Sequence, residues 1–420
     1  MSAVARVGGA GVRSAAHSRQ AVAAGVLIVA VGLSVRFPIT SVSPLLEDIA
    51  VAYRLTPGGI SALSAIPVLL FGFASPLAPL LVRWFGLART ISALLAALAL
   101  ATLLRPLGPG PLFAGTVVVG GAIALLGILA PQIIRQNLAV RAGFWTGMYT
   151  TSFGVSAAVG AALTVPLFHA LDERTALALG AWAVPLLVAV GLALSLGGRL
   201  KDRSTATSRS TTSAPKRPSS AQPLFHSRGL WPVTGFFACQ ALIYFSLTAW
   251  LPTIAISRGI EPASAGLLLA LMSVAGLPAS LLAPSLAARE RLRVPLLVTT
   301  ALLAFAGVLA LAFAPVALLP LAVAITGIAS SAAFGLSIAL IVFTTPSIEQ
   351  TAAYSAVSQG IGYAIAASGP LLAGVLVEHG AAWAHVLVAL SCVALAELGF
   401  GVASARAARS ELISATSGTR

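Results

Sequence analysis

Charge is scarce in this chain. Of its 420 residues only 9% are charged and only 11 are acidic, while 58% are hydrophobic. A soluble globule of this size would lack the polar surface to cover itself, so lipid must be the solvent for most of the chain. Cysteine is equally sparse: Cys239 and Cys392 both fall within long apolar runs. They read as small buried hydrophobes and not as a disulfide or metal pair. There is no metal-spaced His/Cys cluster, no GxxxxGK[ST] phosphate loop and no acid paired with a membrane-embedded His. Catalytic residues, bound metals and cofactors are therefore not expected, nor is ATP-driven transport by this chain alone.

What the chain has instead is a succession of uncharged runs, rich in Leu, Ala, Val and Gly, from residue 21 to residue 405. A helix needs roughly 20 apolar residues to cross a hydrocarbon core of about 30 Å. Lipid cannot satisfy free backbone groups, which favours helices, and the alternating ten-residue segments of a β-barrel are missing. The runs predict spans at 20–46, 57–82, 88–107, 111–135, 143–170, 174–198, 229–256, 261–287, 294–314, 317–343, 351–377 and 381–405. The fold class is thus all-α integral membrane, with twelve transmembrane helices in two pseudo-symmetric six-helix bundles. The predicted organisation is an N-terminal tail at 1–19, a first bundle at 20–198, a basic linker at 199–228, a second bundle at 229–405 and a C-terminal tail at 406–420. The first run is too long for a signal peptide and shows no convincing cleavage site, so it reads as an uncleaved helix.

A net charge of +14 would suggest nucleic acid in a soluble protein. Here its location marks orientation. With the N-terminus inside, twenty of the 25 Lys and Arg are cytoplasmic, and the outer loops keep only Arg54, Arg105, Arg174 and Arg258. The positive-inside rule then puts both termini in the cytoplasm of a bacterial inner-membrane protein. The expected partners are membrane lipid and a small-molecule substrate, with no nucleic acid and a monomer as the functional unit. The linker, with seven basic residues and Asp202 as its one acid, reads as a disordered, solvated spacer. Prolines support two homologous halves: Pro57 and Pro79 share the spacing of Pro262 and Pro284, Pro166 matches Pro370 at nearly the same offset, and Pro38 matches Pro252 if the first outer loop is longer.

Transporters built from such repeats bind substrate near the midplane beside interrupted helices, so an embedded ionisable group is the first candidate. Arg36 lies within the first run. Two residues later, Pro38 cannot donate to the Ser34 carbonyl, and the helix should bend or open there. Gly32, Arg36, Thr40 and Ser43 share one face, and a guanidinium offers a small anion a fixed charge and a fork of donors. The competing reading has Arg36 snorkelling to the outer interface or pairing with Glu47 or Asp48. Arg105, at the outer end of span three, reads as interfacial.

Polar and aromatic stripes follow helical spacing in other spans: Tyr149, Phe153, Ser156 and Gly160 in span five, Gln240, Tyr244 and Thr248 with Trp250 and Pro252 in span seven, and Ser355, Gln359, Gly362 and Tyr363 in span eleven. Each can line a pathway or mediate helix packing. Of the acids only Glu397 lies within a span, so the first half has no mid-membrane carboxylate for proton coupling. His169, His379 and His385 lie near outer helix ends, where an interfacial role outweighs a proton relay.

RFPITSVSPLLEDI from Arg36, IPVLLFGFASPLAPLLVRWFG from Ile66, RAGFWTGMYTTSFGVSAAVGAALTVPL from Arg141, YFSLTAWLP from Tyr244 and SQGIGYAIAASGPLLAGVL from Ser358 together resemble the major facilitator superfamily and, within it, the cyanate and 2-nitroimidazole transporter family. The resemblance covers nearly the whole chain outside the tails and linker, and implies the two-bundle fold and rocker-switch alternating access. In such transporters the first, fourth, seventh and tenth helices, with their neighbours, line the pathway. The superfamily's Asp-Arg-x-Gly-Arg type loop after span two appears here as a candidate gating loop of Arg83, Gly86 and Arg89, with Arg83 in the place of the aspartate. The function expected is secondary transport of a small anion or small planar polar compound. Arg36 would be the anion contact, and Thr40, Tyr149, Phe153, Gln240, Tyr244, Trp250, Gln359 and Tyr363 would shape the pocket. The alternatives are a proton-linked multidrug-type exporter and a non-transporting membrane sensor.

Overall fold

A computed structural model describes residues 20–200 and 224–417, apart from 346 and 349. Most of the predicted linker and the tail at 1–19 lie outside the described residues. Within them the chain is helical, with no strand, and eleven helices are long and apolar enough to cross a membrane.

The twelfth span is the second, and it departs from the continuous helix expected at 57–82. It is made of two pieces, Pro57–Phe73 and Leu77–Phe85. Pro76 has no N–H to offer the Gly72 carbonyl, and the Ser75 hydroxyl takes that acceptor instead at 2.7 Å. Span six breaks in the same way into Thr175–Ala181 and Ala183–Gly197, because Pro185 cannot donate to the Ala181 carbonyl. The last helix runs from Trp383 to Ser417, well past its predicted end at 405, so the predicted C-terminal tail is largely helical. Pro57 and Pro262 both open their helices, and Pro166 and Pro370 both lie inside theirs. At an opening position a proline sacrifices no helical bond.

Spans two, three, four and six pack together in the first half, where span four is Pro109–Asn137. In the second half span seven (Leu230–Ser257) packs on eleven (Thr351–Glu378), and eight (Pro262–Ala287) packs on ten (Leu319–Thr344). Across the halves, span five (Ala142–Ala170) lies on span eight, and span two on span eleven. Small residues permit the first of these contacts: a methyl group added at Gly143 or Gly147 would collide with the backbone of Pro284 or Leu281. Large apolar side chains such as Val184, Leu187, Leu194 and Leu371 point outward. In water that surface would be an aggregation hazard, whereas in a bilayer it meets its own kind. Cys392 belongs to this outer surface and Cys239 is only half-buried, contrary to the expectation that both are core residues.

The hydrogen bonds between the halves all fall at one end, the end that carries Arg83, Arg89, Arg135, Arg141 and Arg289. Thr150 Oγ1 donates to the Ser280 carbonyl at 2.8 Å, the Thr151 and Ser280 hydroxyls pair at 2.9 Å, Gln359 Nε2 donates to the Gly127 carbonyl at 3.3 Å, and Arg135 donates to the Val342 carbonyl. Among the described residues none joins the halves at the opposite end. The halves are thus bonded together at the arginine-rich end.

Candidate substrate-binding cavity

The cavity starts from the defect in span one. The helix of residues 20–34 stops at Val35 and Arg36, and a short helix, Phe37–Thr40, follows. The cause extends beyond Pro38. The Phe37 N–H, which a continuous helix would point at the Leu33 carbonyl, donates to Ser156 Oγ at 3.1 Å, and the Ser156 hydroxyl donates to that carbonyl at 2.5 Å. A span-five side chain thus inserts into the backbone ladder and satisfies both orphaned groups. Gly32, one turn earlier, keeps the two spans close, since a methyl there would meet Ser152 Cβ at 2.8 Å.

Arg105, expected at the membrane interface, is instead 1% exposed. Its Nη1 donates to the Pro38 carbonyl at 2.6 Å, and its Nη2 lies 3.5 Å from Ser41 Oγ. The physical reason is the break itself: the end of the short helix leaves carbonyls without partners inside the bundle, and the guanidinium supplies them. Phe37 stacks on Trp182 with ring centroids 5.0 Å apart, and Trp182 Nε1 donates to Thr164 Oγ1. The segment that carries Arg36 is therefore held from spans three, five and six.

Arg36 lines a cavity of about 90 Å³ between the halves, beside the Thr150–Ser280 bond that joins them. Its guanidinium carbon lies 4.3 Å from the centre of the Phe153 ring, and its Nε is buried without a hydrogen-bond partner. No carboxylate among the described residues lines the cavity. Among the described residues the one side-chain ion pair is His169 with Glu173, so Asp48 does not neutralise Arg36; the Glu47 side chain lies outside the description. Snorkelling does not occur either, because the guanidinium faces the interior. The wall beside it is aromatic: Phe153 meets Phe334 across the halves at 5.2 Å between ring centres, and Tyr363 meets Phe237, Phe245 and Phe71 at 5.0, 6.0 and 5.3 Å. The Gln240 amide and the Tyr244 and Tyr363 hydroxyls also line the cavity, with no protein hydrogen bond of their own.

Of the sequence-selected residues the fold brings Arg36, Phe153, Gln240, Tyr244 and Tyr363 together. Four others stand outside the cavity lining. Thr40 Oγ1 donates to the Arg36 carbonyl at 3.0 Å, and Tyr149 is buried against span one. Gln359 Nε2 is used by Ser355 Oγ at 2.6 Å and the Gly127 carbonyl. Trp250 Nε1 donates to the Pro370 carbonyl at 2.9 Å, and its ring leans on Trp383. The candidate gating loop forms a tight turn in which Gly86 adopts φ +81°, a conformation that favours glycine. The Arg83 and Arg89 side chains are exposed there and form no ion pair.

Residues of spans eight and ten were not selected from the sequence. Met272, Ser273, Leu277 and Ser280 face the cavity from span eight, and Gly327, Ser330, Ser331 and Phe334 from span ten. Their spacings of three and four residues were available as a signal, but hydroxyls and glycines at those spacings also mark packing faces. Glu397 is 1% exposed, with one carboxyl oxygen unpartnered, and lies outside the cavity lining.

A family model described as Major Facilitator Superfamily matches residues 28–317. The chain is 33% identical over 397 residues to the 2-nitroimidazole transporter of Escherichia coli (strain K12), covering 91% of this chain and 95% of that protein. It is 28% identical over 352 residues to the cyanate transport protein CynX of the same organism, covering 83% and 88% respectively. Among solved structures, the proton:xylose symporter XylE bound to 6-bromo-6-deoxy-D-glucose superposes with a TM-score of 0.70 at 14% identity, over 91% of this chain and 95% of that one. At that identity the likeness concerns the fold alone.

Proposed function

The chain belongs to the major facilitator superfamily and is a multi-pass membrane transporter, and from that premise we propose that it carries a small anion or small planar polar solute by alternating access. The observation that carries this reading is the Arg36 guanidinium, without a counter-charge among the described residues and with its Nε unpartnered, in an aromatic cavity that no described carboxylate lines. Holding a partly buried guanidinium without a counter-charge is costly, and an anionic ligand removes that cost. The rings of Phe153, Phe334 and Tyr363 suit a flat solute, and the free Gln240, Tyr244 and Tyr363 groups can fix its orientation. Cyanate and nitroimidazoles have this chemistry, and relatives at 28% and 33% identity bear those names. In this reading the arginine-rich end, where the halves are bonded together, faces the cytoplasm of a bacterial inner membrane, the opposite end admits solute from outside, and the protein works as a monomer.

The test is ligand binding by the purified protein against cyanate, nitrate, short carboxylates and 2-nitroimidazole, followed by thermal shift because a ligand of the folded state raises its stability. Arg36→Gln should weaken anion binding by about 10- to 150-fold, the worth of a hydrogen bond to a charged group. Unchanged affinity for every anion that the parent protein binds would sink the assignment.

A further inference from the structure

We propose that this carrier is an obligatory anion exchanger, which resets across the membrane only with an anion bound. The proposal rests on the Arg36 reading above. Its premise is the charge inventory of the cavity: among the described residues Arg36 is the only charged one that lines it. The other polar groups there, Gln240, Tyr244, Tyr363, Ser330 and Ser331, are neutral. Among the described residues the hydrogen bonds between the halves lie at the arginine-rich end, so in this proposal the opposite, outer end is the one through which the anion reaches the guanidinium. To reset, the outer end must close over it before the arginine-rich end parts.

Closing on an empty cavity traps an uncompensated guanidinium between Phe153, Phe334 and Tyr363. A buried ion without a partner is penalised even after relaxation of its surroundings. Closing on a bound monoanion encloses a neutral pair. A proton cannot substitute for the returning anion in this scheme, because among the described residues no carboxylate or histidine lines the cavity to receive it. Glu397, the carboxylate buried within span twelve, lies outside that lining. The barrier for empty return therefore exceeds that for loaded return, and flux in one direction requires an anion on the other side.

Proteoliposomes containing the full chain, with the membrane potential clamped, provide the first test. Uptake of labelled cyanate and nitrate is compared between vesicles loaded with the same unlabelled anion and vesicles loaded with zwitterionic buffer alone. Exchange should exceed net uptake by at least about tenfold, a barrier difference of 1.4 kcal/mol. Equal rates overturn the exchange proposal and leave the anion reading standing; no uptake of either anion in either condition overturns both.

The second test needs no flux. Spin labels at Leu107→Cys and Leu318→Cys, exposed positions at the outer ends of the two halves, are placed in a Cys239→Ser/Cys392→Ser background, and the distance between them is measured. In the protein with Arg36 intact, adding cyanate or nitrate should shorten the distance. With Arg36→Gln the short distance should be populated without any anion. An Arg36→Gln protein that stays open without anion, or an Arg36 protein that closes without one, overturns the proposal.

Discussion

The two halves contribute unlike things to the cavity they share. In the first half three helices are interrupted, span one at Arg36, span two at Ala74–Pro76 and span six at Trp182, and the interruption in span one presents the only charge among the described lining residues. In the second half spans seven, eight, ten and eleven run for 28, 26, 26 and 28 residues without a break, although seven, eight and eleven contain Pro252, Pro278, Pro284 and Pro370. They supply rings, hydroxyls and an amide on continuous faces. Proline alone therefore does not open a membrane helix. Span one opens because partners are in place for the groups it frees, Ser156 for Leu33 and Phe37 and Arg105 for Pro38. A charge placed beside such a break gains a fixed position, whereas an aromatic wall needs only helical spacing.

Three substitutions probe this division. The largest effect is expected at Arg105. Arg105→Met orphans the buried Pro38 carbonyl, at a cost of about 1–3 kcal/mol, so the unfolding temperature in detergent should fall, and anion affinity should fall with it as the Arg36 segment loses its anchor. A normal unfolding temperature would show that the first half holds its break without Arg105. Next comes Phe334→Ala, which removes a ring of the second half and should cost a planar aromatic ligand about 0.5–1.5 kcal/mol. Titration should therefore show weaker 2-nitroimidazole binding and little change for cyanate; equal losses for both would erase the contrast between a charged half and an aromatic half. The smallest effect belongs to Trp250→Phe. It deletes one hydrogen bond to Pro370, worth on the order of 0.6 kcal/mol between membrane helices. Affinity for either ligand should stay within twofold, and a larger drop would bring Trp250 back into the binding site.

Much of the fold was legible in the sequence because a bilayer imposes a strong and local constraint. Twenty apolar residues announce a span whatever their neighbours, and the arginines mark one end of the bundle. The break at Arg36 was also legible, since Pro38 lacks a donor wherever it sits. The break in span two was missed because Pro76 is one of several prolines in apolar runs, most of which the helices absorb. Membership of the cavity was only partly legible. Tyr244 and Trp250 lie on one helix six residues apart, yet one faces the cavity and the other is tied to Pro370. Gln240 and Gln359 are both glutamines in polar stripes, yet the second spends its amide on Ser355 and Gly127.

The sequence by itself determined the solvent, the spans, the lone embedded arginine and the weak helix around it, because each follows from the chemistry of a short segment. Only the tertiary structure decided that Arg36 faces a cavity with no carboxylate among its described residues, that Arg105 is a buried anchor and that spans eight and ten complete the wall. Those facts depend on which acceptors and faces distant helices bring to the same place.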